Sequence, residues 1–164
     1  MEEKKFQITD ADRHFIAMAC QIASENIDNG GGPFGAVIVK DGEVIATGGN
    51  TVTLNNDPTA HAEVNAIRRA CQLTGNFKLD GCVIYSSCEP CPMCLSALYW
   101  AGVRRIYYAN TQTDARDIDF DDNFIYLEIE KPKLERYIPC IHVDDPHAID
   151  HFRKWAEKDD KIAY

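Results

Sequence analysis

No uninterrupted apolar run in the sequence approaches the roughly 18 residues that a membrane-spanning helix requires. Residues 1–10 carry too many charges to provide the apolar core of a signal peptide. The apolar fraction of 45% is nevertheless ordinary for a globular protein. We therefore expect a cytoplasmic protein without a membrane partner.

An excess of positive charge is also missing. The sequence has 17 lysines and arginines against 26 aspartates and glutamates, which gives a formal net charge of −9. A protein that binds a phosphate backbone needs the opposite balance. Its two basic clusters, Arg68-Arg69 and Arg104-Arg105, fit ordinary helix or strand surfaces. We expect no nucleic-acid partner.

Neither internal repeats nor a low-complexity linker divides the sequence. A chain of 164 residues can bury roughly 70% of its unfolded surface in one core. We therefore predict a single domain over residues 1–164.

The seven cysteines are an odd number, and Cys88, Cys91 and Cys94 lie within seven residues of one another. Without an export signal, this clustering favours metal ligation or buried thiols over a disulfide framework.

Helix and strand patterns alternate along the first two thirds of the chain. The periodicity and the capping residues predict helices and strands at the following positions: helices over residues 9–30, 58–73 and 92–101, a hairpin of strands over 36–39 and 43–47, and further strands over 82–86 and 105–109. The glycine-rich residues 31–35 are expected to be irregular. This alternation predicts an α/β fold, a three-layer α/β/α sandwich around a central mixed sheet.

The last third has a weaker pattern. We expect loops over residues 114–122, an apolar stretch over 124–129, a strand over 136–143 and a helix over 146–158.

The clearest chemical signal is the pair of motifs H-A-E at residues 61–63 and C-E-P-C-P-M-C at residues 88–94. One imidazole and two thiolates can hold zinc with its fourth position open, which is typical of a catalytic site. We therefore predict one Zn²⁺ bound by His61, Cys91 and Cys94, with Glu63 as the proton shuttle. H-x-E followed by P-C-x-x-C is typical of zinc-dependent nucleobase deaminases.

Both motifs are predicted at helix N-termini. Side chains in a first turn can extend past the helix end, so His61 and Glu63 can approach one centre although they are only two residues apart. The positive helix ends would also stabilise the thiolates.

Two other interpretations of the cysteines remain open. As a fourth ligand, Cys88 would close the coordination sphere and make the zinc structural, whereas we interpret it as the end of the strand that begins at Cys82. Alternatively, the C-x-x-C pair could be redox-active in a protein without metal. The role of Glu89 is also open, since a carboxylate near the start of a helix can simply interact with the positive end of the helix dipole.

Further motifs extend a resemblance along nearly the whole chain. They are G-P-F-G-A-V-I-V at residues 32–39, D-P-T-A-H-A-E-V at 57–64, S-C-E-P-C-P-M-C at 87–94, F-D-D at 120–122, and the closing Tyr164. On these residues the sequence resembles the cytidine deaminase superfamily, and most closely the small bacterial-type guanine deaminases. The zinc motif defines only the superfamily, whereas F-D-D and Tyr164 indicate the guanine group.

The resemblance implies roles for further residues. It implies that Asn50 hydrogen-bonds a purine, that Asp122 recognises the base near its amino group or helps to move protons, and that Phe34 and Trp100 line the pocket. It also implies a homodimer in which the C-terminal segment, about residues 144–164, is exchanged, so that Tyr164 could close the partner's site.

The activity expected from this resemblance is zinc-dependent hydrolytic deamination of guanine to xanthine and ammonia, with a small purine base as substrate. The alternatives are a deaminase of another small base or nucleoside, such as guanosine or cytosine, and a structural zinc-binding protein.

Overall fold

The structure is a computed structural model that describes residues 6–163. The chain divides into two compact units, the first ending at Asp122 and the second beginning at Asn123. Tyr164 lies outside the described residues.

The first unit is built around a mixed sheet. Its elements are, in order, α1 (Asp10–Asp28), β1 (Gly32–Lys40), β2 (Glu43–Asn50), α2 (Val52–Asn55), α3 (Ala62–Thr74), β3 (Val83–Cys88), α4 (Pro92–Ala101), β4 (Arg105–Asn110) and α5 (Gln112–Arg116). The described strands form one four-stranded sheet in the order β2-β1-β3-β4. β1 is antiparallel to both of its neighbours, and β3 is parallel to β4.

The two faces of the sheet carry separate apolar clusters. Ala36 and Ile38 of β1 face a cluster shared with α3 and α4, whereas Val37 and Val39 face Phe15 and the rest of α1. Successive side chains of a strand point to opposite faces, so one apolar strand fills both clusters. This confirms the predicted three-layer sandwich.

Two glycines let helices approach the sheet closely. A Cβ atom at Gly35 would lie 2.3 Å from the Ala19 carbonyl oxygen of α1, and one at Gly48 would lie 2.2 Å from the Ala62 carbonyl oxygen of α3. A larger residue at Gly35 would push α1 away from the sheet, and one at Gly48 would push α3 away. The position of α3, which carries the H-A-E motif, therefore depends on Gly48.

Several predicted boundaries in this unit are wrong. Residues 114–116, expected in a loop, belong to α5, because Thr111 and Asp114 form a capping box at its start. α3 begins at Ala62 and not at Pro58, because the Asp57 side chain accepts hydrogen bonds from the backbone and hydroxyl of Thr59 and forms a turn. β1 already begins at Gly32, within the stretch expected to be irregular, and its pairing shifts register before Gly35. A bulge admits these glycines into a strand.

The second unit has two short helices, α6 (Asn123–Glu130) and α7 (Asp150–Glu157). The strand predicted over residues 136–143 is wrong, since this stretch has no regular structure. Instead, Arg136 donates to the Ile129 carbonyl oxygen at the end of α6. A strand needs a neighbouring strand for its backbone groups, and local alternation of side chains cannot show whether these residues pair with one.

Within residues 6–163, each helix is too short or too polar to cross a bilayer.

Candidate metal and substrate site

His61 is the N-cap of α3. Its backbone is extended (φ −68°, ψ 159°), its carbonyl oxygen accepts from the Asn65 N–H at 2.9 Å, and its side chain caps no helical N–H. The imidazole is therefore available to groups beyond the helix end. The predicted location of this motif at a helix N-terminus is confirmed.

Cys91 is the N-cap of α4, and Cys94 lies in its first turn behind Pro92. The His61 Nδ1 atom lies 3.6 Å from the Cys91 sulfur and 3.5 Å from the Cys94 sulfur. All three donor atoms lie within 4.8 Å of one another. The fold thus brings together three residues that belong to motifs about thirty positions apart.

The chemistry of this donor set fits zinc. The Cys94 thiol donates to the Cys91 sulfur, which lowers the pKa of Cys91 to about 4 and raises that of Cys94. The hydrogen bond with Cys91 raises the pKa of His61 above 6.5. Zinc binds thiolate sulfur and imidazole nitrogen, and three such ligands leave its fourth position open. A thiolate at a positive helix end already has part of the charge that the metal requires.

Glu63 lies in the first turn of α3 and is 6% exposed. Its Oε1 atom accepts a hydrogen bond from the Ser86 hydroxyl at 3.0 Å. Burial raises the pKa of Glu63 above 4.5, although hydrogen bonds from Ser86 and Cys94 act in the opposite direction. A buried carboxyl of this kind keeps a proton at a higher pH than an exposed one.

Cys88 stands apart from the three donor atoms. It is the last residue of β3, as predicted, and its thiol contacts the Thr111 carbonyl oxygen at 3.6 Å. Burial, followed by the charge of Glu63, raises the pKa of Cys88 to about 11, so it stays a thiol at neutral pH. The group that could hold a metal contains three ligands without Cys88, which argues against a closed, structural site.

Glu89 has a local role in the loop after β3. Its backbone N–H donates to the Asn110 carbonyl oxygen at 2.8 Å, and its Oε2 atom accepts from the Gln112 N–H at 3.4 Å. It therefore ties this loop to the start of α5.

Asn50 is the last residue of β2 and is 6% exposed. Its Oδ1 atom accepts from the Val52 N–H at 3.2 Å. Within residues 6–163, its Nδ2 group has no hydrogen-bond partner, so it can donate to a ligand.

An aromatic contact connects Phe34 of β1 to the F-D-D segment that contains Asp122. The Phe34 ring meets the Phe120 ring edge-on, with centroids 4.9 Å apart and an interplanar angle of 90°. Burial and the negative charge of Cys91 raise the pKa of Asp122 above 3.8. The charges of Asp122 and Cys91 are therefore close enough to interact, and the F-D-D segment is held beside β1.

Trp100 and Tyr164 are the remaining two predicted pocket residues. Trp100 lies in the last turn of α4, about 9 Å along the helix from Cys94, and its side chain is 64% exposed. Tyr164 lies outside the described residues. Their substrate contacts stay predictions.

Sequence reasoning missed three residues around the site. Ser86 donates to Glu63, Asn26 donates to the Asn50 carbonyl oxygen, and Asn65 donates to the Gly49 carbonyl oxygen. Ser86 lies in an apolar strand, and both asparagines lie within helices, so periodicity shows no chemical signal for any of them. The H-A-E-V-N spacing shows only that Asn65 is one helical turn beyond His61.

Comparisons with known proteins agree with this geometry. Guanine deaminase of Bacillus subtilis (strain 168) is 52% identical to this chain over 151 residues, which cover 92% of this chain and 97% of that protein. The X-ray structure of guanine deaminase from Bacillus subtilis matches with a TM-score of 0.91 at 50% identity, covering 96% of this chain and 99% of that one.

More distant proteins match a smaller part of the chain. Guanine deaminase from Nitrosomonas europaea has a TM-score of 0.65 at 30% identity and covers 74% of this chain and 69% of that one. A tRNA-specific adenosine deaminase of Agrobacterium fabrum is 44% identical over 95 residues, which are 58% of this chain and 62% of that protein.

Residues 9–110 match the family described as the cytidine and deoxycytidylate deaminase zinc-binding region. This match includes the sheet, both helix N-termini and all three donor residues. The chain therefore belongs to the zinc-binding cytidine and deoxycytidylate deaminase family, and within it to the group that contains guanine deaminase.

Proposed function

We propose that this protein catalyses the hydrolytic deamination of guanine to xanthine and ammonia. The observation that carries the proposal is the three-donor cluster with a buried carboxyl beside it, in a chain 52% identical to a guanine deaminase along nearly its whole length. In this reaction the oxygen of water forms a bond to C2 of the purine, and the bond from C2 to the amino nitrogen breaks.

His61, Cys91 and Cys94 would hold the zinc ion, one per chain. When bound, zinc supplies a Lewis acid that lowers the pKa of a coordinated water towards about 7. The two helix N-termini contribute positive electrostatic potential at the same place.

Glu63 is the proton shuttle in this proposal. It takes one proton from the attacking water and passes it to a ring nitrogen. It then takes the second proton from the hydroxyl group added at C2 and passes it to the departing amino group, which leaves as ammonia while the C2 carbonyl forms. The raised pKa of Glu63 lies closer to neutral pH, and a group whose pKa is near the working pH can both accept and donate a proton. The hydrogen bond from Ser86 to Oε1 holds this carboxyl in place.

Asn50, Asp122 and Phe34 orient the base in this proposal. The Asn50 Nδ2 group donates to a ring acceptor, since its Oδ1 atom is engaged by Val52. Asp122 accepts from the N–H groups near the substrate's amino group, and the Phe34 ring lines the pocket with Phe120.

The test is ammonia release by zinc-loaded protein from guanine, guanosine, cytosine and adenine, at one zinc per chain. We expect release from guanine at a kcat/KM far above that of the other three compounds. Faster release from guanosine or cytosine would contradict the substrate and keep the deaminase chemistry. No release from any compound would contradict the activity altogether.

A tRNA substrate is the rival suggested by the similarity to tRNA-specific adenosine deaminases. The charge of −9 argues against it, because phosphate contacts need free cations. Three of the four clustered arginines are engaged internally: Arg68 pairs with Asp57, Arg69 donates to the Thr47 carbonyl oxygen, and Arg105 donates to the Tyr107 hydroxyl. A gel shift with tRNA at moderate salt should show no complex.

We also propose a homodimer in which residues 144–164 are exchanged. No residue among 123–163 is buried, although this region has large apolar side chains that are about half exposed or more, among them Phe124, Leu127, Phe152 and Trp155. Water-exposed apolar surface on this scale favours coverage by another chain. Light scattering should give twice the mass of the chain at micromolar concentration, and a monomer would contradict the exchange.

Mixed subunits test where Tyr164 acts. Glu63→Gln would inactivate one variant, and deletion of Tyr164 would inactivate a second. With exchanged tails, a heterodimer has one site that combines Glu63 from one chain with Tyr164 from the other. Refolding an equal mixture should then recover about a quarter of the wild-type activity. If Tyr164 acts in its own chain, no activity returns.

We place the reaction in the cytoplasm. The seven cysteines all lie within the described residues and form no disulfide, which suits a reducing compartment. Fractionation of cells should find the protein with cytoplasmic markers, and recovery with exported proteins would contradict this.

A further inference from the structure

Two asparagines from different helices bind the backbone around Asn50. Asn26 of α1 donates through Nδ2 to the Asn50 carbonyl oxygen at 2.8 Å and to the Gly32 carbonyl oxygen at 2.7 Å. Asn65 of α3 donates through Nδ2 to the Gly49 carbonyl oxygen at 2.8 Å. Because α1 and α3 pack on opposite faces of the sheet, the end of β2 is held from both sides.

The glycines at this point leave room for Asn26. A Cβ atom at Gly49 would lie 2.5 Å from Asn26 Oδ1, and one at Gly31 would lie 2.3 Å from Asn26 Nδ2. Atoms cannot approach so closely, so a side chain introduced at Gly31 or at Gly49 would displace the Asn26 amide. The backbone is thus shaped around this amide, which argues against an incidental contact.

Asn65 links the same strand end to the proton shuttle. It lies two residues after Glu63 on α3, and its Nδ2 also contacts the Thr51 hydroxyl at 3.0 Å and the Ala60 carbonyl oxygen at 3.2 Å. These bonds connect the Gly49 backbone before Asn50, and the Thr51 hydroxyl after it, to α3. The position of the Asn50 backbone relative to α3 therefore depends on side chains that contact neither the Asn50 amide nor the Glu63 carboxyl.

We propose that Asn26 and Asn65 are positioning residues that hold Asn50 in its place relative to Glu63, an inference that rests on the proposed function, in which Asn50 orients the base. The physical reason is that the reacting atoms must meet at about 3–3.5 Å, and a displacement of 1 Å can reduce the rate about 100-fold. Neither asparagine needs to contact the substrate for its loss to slow the reaction.

The test is a double-mutant cycle on kcat/KM for guanine with Asn26→Ala, Asn50→Ala and the double variant. We expect Asn26→Ala to lower kcat/KM about 10- to 100-fold with zinc content per chain unchanged. In the Asn50→Ala background, the same substitution should have no further effect, because its action passes through Asn50. Losses that multiply in the double variant would show a merely structural role and overturn the proposal.

Asn29→Ala is the matched control. Asn29 follows α1 three residues after Asn26, and among residues 6–163 its Nδ2 donates only to the Glu25 carbonyl oxygen of the same helix. This variant should keep the wild-type kcat/KM, and an Asn26→Ala variant that behaves like it would overturn the proposal. Should Asn26→Ala fail to fold, Asn65→Ala in the same cycle gives the same test.

Failure of the proposed function has a different signature. It would appear as no ammonia from guanine with wild-type protein, or as wild-type kcat/KM in Asn50→Ala, and either result overturns the positioning role with it. An impaired Asn50→Ala variant beside unimpaired Asn26→Ala and Asn65→Ala variants overturns the positioning role alone.

Discussion

In the first unit Leu98 is completely buried between α4 and the sheet, whereas in the second unit Leu134 is 69% exposed. The same contrast holds for polar groups. Asp12 and Glu63 of the first unit are buried and hydrogen-bonded, while Asp150 of the second is exposed. Burial in the first unit thus shifts the pKa values of its carboxyl groups. Shifted pKa values of this kind are typical of sites that carry out chemistry at neutral pH.

The physical cause of the contrast lies in the elements available. The first unit has a sheet whose two faces each bury an apolar cluster against helices. The second has two eight-residue helices, and neither has a buried residue. A short helix gains most of its stability from packing, so this region needs a partner surface more than the first does.

The largest difference between the units should come from cysteine. Cys91→Ser replaces a thiolate donor with a poor zinc ligand, so zinc should fall well below one per chain and activity should disappear. The Cys140→Ser variant in the second unit and the Cys88→Ser variant beside the site should keep both their zinc and their activity. Metal analysis and ammonia release measure this, and zinc loss from Cys88→Ser would restore the four-ligand interpretation.

Glutamate substitutions should give the second-largest difference in activity between the two units. Glu63→Gln keeps the shape of the side chain but cannot shuttle protons, so kcat should fall about 10²- to 10⁴-fold with zinc unchanged. The exposed Glu135→Gln of the second unit should have wild-type kcat. A fully active Glu63→Gln enzyme would remove this residue from the mechanism.

Leucine tests packing directly. Leu98→Ala should lower the free energy of unfolding by about 2–5 kcal/mol, because a cavity remains in the core. Leu134→Ala should change it by less than about 0.5 kcal/mol. Urea unfolding of both variants measures the difference. Equal losses would break the comparison and show that Leu134 is covered in solution.

Aspartate should give the smallest effect, and one that depends on pH. Burial raises the pKa of Asp12, but hydrogen bonds from Thr9 and from the Tyr85 hydroxyl at 2.7 Å outweigh it, so the folded-state pKa lies below 3.8. Because the carboxylate favours folding above that pH, Asp12→Asn should cost about 1–3 kcal/mol at pH 7.

This loss should shrink as the pH falls through the lowered pKa, since wild-type Asp12 then takes up its proton. Asp150→Asn, which breaks an exposed pair with Arg153, should cost less than about 1 kcal/mol. Urea unfolding at pH 7 and near pH 3 measures the loss of stability in both variants. A pH-independent loss for Asp12→Asn would contradict a role for its charge.

Local sequence determined much of the first unit and the metal donors. Thr9 and Asp12 form a capping box at the start of α1, and Gly102 ends α4 in a left-handed conformation. These signals act within one helical turn, so they can be recognised without knowing the fold. The zinc ligands were predictable for the same reason, because two short motifs contain all the donors.

Tertiary structure alone decided which groups support those donors. Ser86 reaches Glu63 across 23 positions, Asn26 reaches Asn50 across 24, and Tyr85 reaches Asp12 across 73. Such hydrogen bonds leave no periodic trace, because each depends on how separate elements pack and not on the residues next to it. The sequence by itself determined the chemistry of the site, and the packing of α1 and α3 against the sheet decided its geometry.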